Sequence, residues 1–122
     1  MNVNNVKQEL QDKYPNKSVL VSDGEIICEV KPASIDPNES IAVAVIDKTV
    51  PHYHKVTTEI YEVIEGELSL FVDEVEHKLK EGESFTIKPN QKHYAIGNET
   101  WIKCPSHPAW TMEDHILVKN NG

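Results

Sequence analysis

The sequence predicts an all-β protein, an antiparallel β-barrel or sandwich preceded by one short helix. Short runs rich in β-branched and aromatic residues recur between turn signals from residue 17 to residue 119, which is the pattern of a sandwich or barrel. Asp23-Gly24 separates two apolar runs as a two-residue hairpin signal. Helical periodicity occurs only near the start of the chain.

The elements follow in chain order. Val3, Val6, Leu10 and Tyr14 recur at three- and four-residue intervals until Pro15-Asn16 ends the pattern, so residues 3–14 are expected to form an amphipathic helix. This gives an N-terminal helical arm at 1–16 and a single barrel domain at 17–122. The apolar stripe on the arm exceeds what such a barrel needs, and a homodimer through the arm or the outer sheet would bury it. The alternative is that Val6, Leu10 and Tyr14 fold back on their own barrel. Lys17–Ser22 and Glu25–Lys31 are the hairpin strands, and Pro32–Glu39 is a loop. Ser40–Asp47 is apolar on both faces, as a central strand must be. Short strands are then expected at Glu59–Ile64, Leu68–Asp73, Val75–Leu79, Ser84–Ile87, His93–Ile96, Thr100–Cys104 and His115–Lys119.

Composition narrows the function. At 122 residues, 39% hydrophobic and 26% charged, the chain has the size and balance of one soluble globular domain. A net charge of −8, with 20 Asp and Glu against 12 Lys and Arg, argues against nucleic acid or an anionic membrane as partner. No apolar run approaches the roughly 20 residues of a membrane span. Met1-Asn2-Val3-Asn4-Asn5 lacks the basic and apolar regions of a secretion signal. A cytoplasmic protein is expected, with Cys28 and Cys104 as free, buried thiols.

The chemistry centres on His52-Tyr53-His54, Glu59 and His93. Three imidazoles and one carboxylate can close around a single divalent metal. On a strand, His52 and His54 point to the same side, whereas on a helix they would splay about 200° apart. The flanking Val50, Val56, Thr57 and Thr58 favour strand. Glu59 shares parity with Tyr61 and Val63 and should point inward with them, where a metal would offset the cost of burying a carboxylate. Tyr61 is then placed to offer its hydroxyl to a ligand, whereas Tyr53 and Tyr94 should point away.

These residues resemble the motifs of the cupins. The first cupin motif is a Gly or equivalent, His-x-His, three or four residues, Glu, six residues and Gly. Here Pro51-His52-Tyr53-His54 is followed by four residues, Glu59, six residues and Gly66. The second motif runs from Gly and an acid through a Pro-x-Gly turn to a His, and here it runs from Gly82-Glu83 through Pro89-Asn90 to His93. Lys88 stands where the first Pro usually sits, Asn90 replaces the turn Gly, and Asn98 falls one residue later than the family's terminal Asn. Asn tolerates the left-handed conformation such a turn needs. The resemblance implies a cupin-type antiparallel β-barrel or jelly roll. It also implies one divalent transition metal (Fe, Mn, Ni or Zn) held by His52, His54, Glu59 and His93.

Such a site leaves one or two positions open for water, dioxygen or a chelating substrate. The expectation is a metal-dependent enzyme, dioxygenase-like or isomerase-like, acting on a small oxygen-rich metabolite, with Glu59 as a ligand able to detach and serve as base. A phosphosugar isomerase would need a cationic cradle, and only Lys55, Lys88 and Lys92 lie near the motifs. The reading from another class is a non-catalytic module that senses a small molecule or stores metal. His77, between Glu76 and Lys78, reads as solvated. The aromatic and ionisable C-terminal segment, with Trp101, His107, Trp110, Asp114 and His115, has two readings. The resemblance to small cupins implies a tail that folds near the barrel mouth; the other reading is that Trp110 is a core or dimer anchor and Asp114 starts or caps the last element. The second is favoured because Trp is mostly a large hydrophobic payload.

Overall fold

The structure, a computed structural model, describes residues 1–119. It opens with helix α1 (Val3–Lys13), capped by the Asn2 side chain, which accepts from the Asn5 N–H. Ten strands follow: β1 (Ser18–Ser22), β2 (Glu25–Lys31), β3 (Ser40–Lys48), β4 (His52–Tyr53), β5 (Thr58–Glu65), β6 (Leu68–Val72), β7 (Val75–Leu79), β8 (Ser84–Ile87), β9 (His93–His107) and β10 (Ile116–Leu117). All pairings are antiparallel, and the sheet curls into a half-barrel.

The turns are made by residues suited to them. Gly24 closes the β1–β2 hairpin at φ +90, and a Cβ there would meet the Lys48 carbonyl oxygen at 2.5 Å. Asn90 takes the left-handed conformation at φ 71, as expected of the residue in place of the turn glycine. Its N–H donates to the His54 carbonyl at 2.6 Å, which ties the two motif loops together.

Strand β9 organises the sheet. The sequence reads as two strands broken at Gly97-Asn98-Glu99, but one strand runs from His93 to His107. It pairs with β3, β4, β5 and β6. The expected break is an irregularity in pairing, a register shift opposite Ile46–Lys48, with Glu99 at φ 46. A bulge of this kind bends a strand without ending it. The last expected strand, His115–Lys119, is reduced to Ile116–Leu117, and a 3₁₀ turn at Met112–Asp114 precedes it.

Two cores explain why β3 is apolar on both faces. Ala44 and Ile46 face the barrel interior with Val63, Leu70, Ile87 and Ile102. Val43 and Val45 face outward and, with Ile26, Cys28 and Trp101, receive Val6 and Leu10 of the helix. The arm therefore docks on its own barrel, and its stripe gives no ground for a dimer. Trp101 belongs to this outer layer, with the Lys13 ammonium 4.7 Å from its ring centre, and has no part in the barrel mouth. His77 is also corrected: it is half-buried, with its ring 4.3 Å from that of Phe85. Tyr94 stacks on Phe71 at 4.6 Å, on the face opposite its neighbours His93 and Ala95, whose side chains are buried.

Leu10 is completely buried between helix and sheet. Leu10→Ala is expected to cost about 2–4 kcal/mol in urea denaturation, with a midpoint independent of protein concentration. A midpoint that rises with concentration would return the arm to an intermolecular role.

Candidate metal centre

His52 on β4, His54 just beyond it, Glu59 on β5 and His93 at the start of β9 converge at one end of the barrel. One ligand atom from each lies within 4.8 Å of the others, and all four side chains are buried. The pairing explains the convergence: His52 is directly opposite His93, and Glu59 lies in register with Ile87 and Ser106. Alternation along β5 buries Glu59, Tyr61 and Val63 together, as their shared parity predicts.

Each imidazole is oriented by its own backbone contact. Nδ1 of His52 lies 2.7 Å from the Val50 carbonyl, Nδ1 of His54 is 2.9 Å from that of Asp114, and Nδ1 of His93 is 2.9 Å from that of Gln91. A carbonyl oxygen only accepts, so each Nδ1 carries a proton and Nε2 is the nitrogen turned to the cluster, bare whenever the ring is neutral. The Glu59 Oε1 atom lies 3.0 Å from Nε2 of His54 and 3.3 Å from Nε2 of His93. These are ion-pair distances, yet their geometry makes no hydrogen bond, and all three atoms are buried without a partner. Orphaned buried polar atoms on three facing side chains are costly, and a divalent cation satisfies them at once. The donor set therefore fits a metal.

The electrostatics divide the imidazoles. Burial, reinforced by neighbouring His93, pushes the His52 imidazole down to about 3, so that it stays neutral. Burial would raise the Glu59 carboxyl, but His54 and His93 outweigh it and hold the group well below the usual range. Burial also opposes the charged form of His54, but Glu59 overrides it and raises that imidazole, so an ion binding there displaces a proton.

The cluster opens on a cavity of about 420 Å³. His52, Glu59 and Tyr61 line it near the cluster, with Cys104 and Ser106 from β9. The Tyr61 ring stands edge-on to His93 at 5.9 Å, and burial raises its hydroxyl well above the ordinary value. Cys104 is a free, buried thiol, 3.8 Å from Glu59 Oε2, and Cys28 is free and buried in the outer core. Neither Lys55, Lys88 nor Lys92 lines this cavity.

The C-terminal segment folds over the mouth, contrary to the favoured reading of the sequence. Trp110 and His115 line the cavity. The Asp114 carboxylate accepts from the N–H groups of Lys55, Val56 and Thr57 at 2.9–3.1 Å, and its carbonyl orients His54. Asp114 thus anchors the loop after His54 instead of starting an element, and backbone donors hold its carboxyl below the usual range although burial opposes this. His115 stacks on His52 at 4.3 Å. Trp110 donates its ring N–H to His115 Nδ1 at 3.3 Å, which gives His115 the tautomer opposite to that of the three clustered imidazoles. His107 is exposed and apart from the site.

Sequence reasoning missed Glu25. It lines the cavity with Ile27, Glu29 and Lys31 from alternate positions of β2. Burial, with a smaller push from Glu59, moves its carboxyl from 4.5 to about 7. The signal was present as acids with period two on a strand, but it lay within a run read only as apolar.

A curled antiparallel barrel with three His and one Glu at its mouth defines a class, the cupins. The chain belongs to that family: the model described as Cupin domain matches residues 35–100. An uncharacterized protein of Methanocaldococcus jannaschii is 32% identical over 111 residues, covering 84% of this chain and 89% of that one. Among solved structures, Pac13 of Streptomyces is similar at a TM-score of 0.79 and 13% identity, over 87% of this chain and 88% of that one. Pac13 is described as a nucleoside dehydratase, and structures of it hold uridine. KdgF from Halomonas sp. matches at 0.69 and 17% identity, over 81% and 92% of the two chains. A variant oxalate decarboxylase of Bacillus subtilis matches at 0.73 and 13% identity, over 86% of this chain and 31% of that one. At these identities the structural likeness establishes the fold alone. No helix among the described residues is long and apolar enough to cross a membrane.

Two outcomes are expected. Asp114→Ala frees the loop after His54 and should weaken zinc affinity about 10–100-fold by competition titration, with the fold retained by circular dichroism. Glu25 binds its proton more tightly folded than unfolded, so between 4.5 and about 7 its contribution to stability falls as pH rises. In metal-free protein, Glu25→Gln should gain about 1–3 kcal/mol near pH 8, allowing for water in the cavity, and little near pH 4. Parallel melting curves of the two proteins across that range would show the divergence.

Proposed function

We propose that the protein is a divalent-metal-dependent cupin enzyme whose substrate is a small molecule that chelates the ion through oxygen. The observation that carries this is the set of bare, buried acceptor atoms of His54, Glu59 and His93 beside a cavity of about 420 Å³. His52, His54, Glu59 and His93 are the proposed ligands. A bound ion would supply Lewis-acid polarisation of a chelating oxygen, or dioxygen chemistry in the case of iron.

The chain's own groups do the rest. The imidazoles hold their ligand atoms in place through the Nδ1–H bonds, so binding requires no reorientation. Glu59 is proposed both as ligand and as a base able to accept a substrate proton. Tyr61, buried with its hydroxyl protonated, is the proposed hydrogen-bond donor to the substrate. Glu25 adds a second carboxyl facing the same space, with a proton affinity suited to acid–base work near neutrality. The solved structures of similar fold include enzymes acting on small molecules, which favours catalysis over storage.

Metal analysis of the purified protein should find about one transition ion per chain, with nitrogen about 2.0–2.1 Å from it by X-ray absorption. The His52→Ala/His54→Ala double variant should lose the ion, and so should the native protein below about pH 6, because only neutral imidazole binds. Full occupancy in the double variant would refute the ligand assignment. An oxygen-consumption and product screen over small diols, phenols and keto acids separates the two classes. Turnover supports the enzyme, and saturable binding without turnover supports a binding module.

A further inference from the structure

The cavity carries its charge on one side. Its walls are largely apolar, with Ile27, Ile41, Ala42, Ala44 and Ile102 among the lining residues. The acids that line it away from the metal cluster are Glu25 and Glu29. The Glu25 carboxyl makes no hydrogen bond or ion pair among the described residues, whereas its backbone carbonyl accepts from Ser22. Lys31 is the one lysine in the lining, and its ammonium is already paired with Asp36 at 3.4 Å and Glu39 at 3.1 Å. No lysine in the wall is therefore left to meet an incoming anion. At the cluster itself the charge of a divalent ion would be matched by Glu59 and by deprotonated chelating oxygens of the ligand.

We propose that the cavity selects ligands whose portion beyond the metal is uncharged or cationic and bears hydroxyl or amine donors. Glu25 is the residue that receives those donors and turns anions away. The proposal rests on the metal reading above and narrows its substrate class. It excludes carboxylated and phosphorylated tails, and it accommodates a polyhydroxylated ring or chain whose carbon skeleton lies on Ile27 and Ile102.

The mechanism of selection is simple electrostatics. An unpartnered carboxylate in a half-enclosed, apolar-walled space interacts with a second charge far more strongly than it does in water. Like charge in such a space is costly, and a donor or cation supplies what the carboxylate lacks. Both wall acids project from β2 on the same face as Ile27, so strand parity sets the face that carries the charge.

The test uses zinc-loaded protein and three probes that share one chelating diol: catechol, dopamine and 3,4-dihydroxybenzoate. They differ in tail charge, and each affinity is measured by calorimetry at about pH 8 and corrected for the probe's own affinity for zinc in solution. Catechol and dopamine should bind at least about ten-fold more tightly than dihydroxybenzoate, the effect of one nearby like charge. Glu25→Gln should narrow that gap by about three-fold or more, with Glu29→Gln as the second variant if the first does not fold. Equal affinity for the three probes, absence of saturable binding by all of them, or a gap unchanged in the variants overturns the charge assignment while zinc stoichiometry leaves the metal reading intact. Failure to bind zinc at all brings down the metal reading, and the proposal with it.

Discussion

Three hydrogen bonds from imidazole Nδ1 to backbone carbonyls set the character of this site. They fix which nitrogen of His52, His54 and His93 faces inward, and they do so with groups that cannot themselves ionise. Everything distinctive about the cluster follows. Nε2 of His54 and of His93 faces Oε1 of Glu59 with no hydrogen bond made, and burial makes that arrangement expensive unless a cation completes it. The carbonyls belong to residues 50, 91 and 114, so three separate stretches of backbone must be in place before the site exists.

The sheet supplies that placement. Strand β9 runs along β3, β5 and β6 and meets β4 at His52, so it fixes His93 relative to both His52 and Glu59. The Asn90 N–H reaches the His54 carbonyl and joins the two motif loops. Asp114 then fastens the C-terminal segment across the loop after His54, and this brings Trp110 and His115 to the cavity mouth. Helix α1 lies on the far side of β2 and β3, where it covers Val43, Val45 and Trp101. One face of that pair of strands thus serves stability and the other serves the site.

Much of this was legible in the sequence because it is local. Turn chemistry at Asp23-Gly24, alternation along Glu59, Tyr61 and Val63, and the His-x-His spacing all depend on neighbours within a few residues. The misreadings come from interactions distant in sequence. Gly97-Asn98-Glu99 has the composition of a turn, but pairing with β3 on both sides carries the strand through it. Asp114 finds its partners 57–59 residues away, so nothing near it in sequence reveals its role. The stripe on α1 was clear, but its partner, the outward face of β2 and β3, could be identified only once the sheet had formed. Glu25 was overlooked for a related reason: its significance depends on which face of β2 meets the cavity.

The central claim is that the three imidazoles carry a proton on Nδ1 and turn Nε2 to the ion. Long-range ¹H–¹⁵N correlation spectra of metal-free protein near neutral pH report the tautomer of each ring directly. All three rings should show a protonated Nδ1, His52 should show a bare Nε2, and zinc should move the Nε2 resonances while leaving the Nδ1–H groups in place. Rings protonated on Nε2 in place of Nδ1, or spectra that zinc leaves unchanged, would contradict the account.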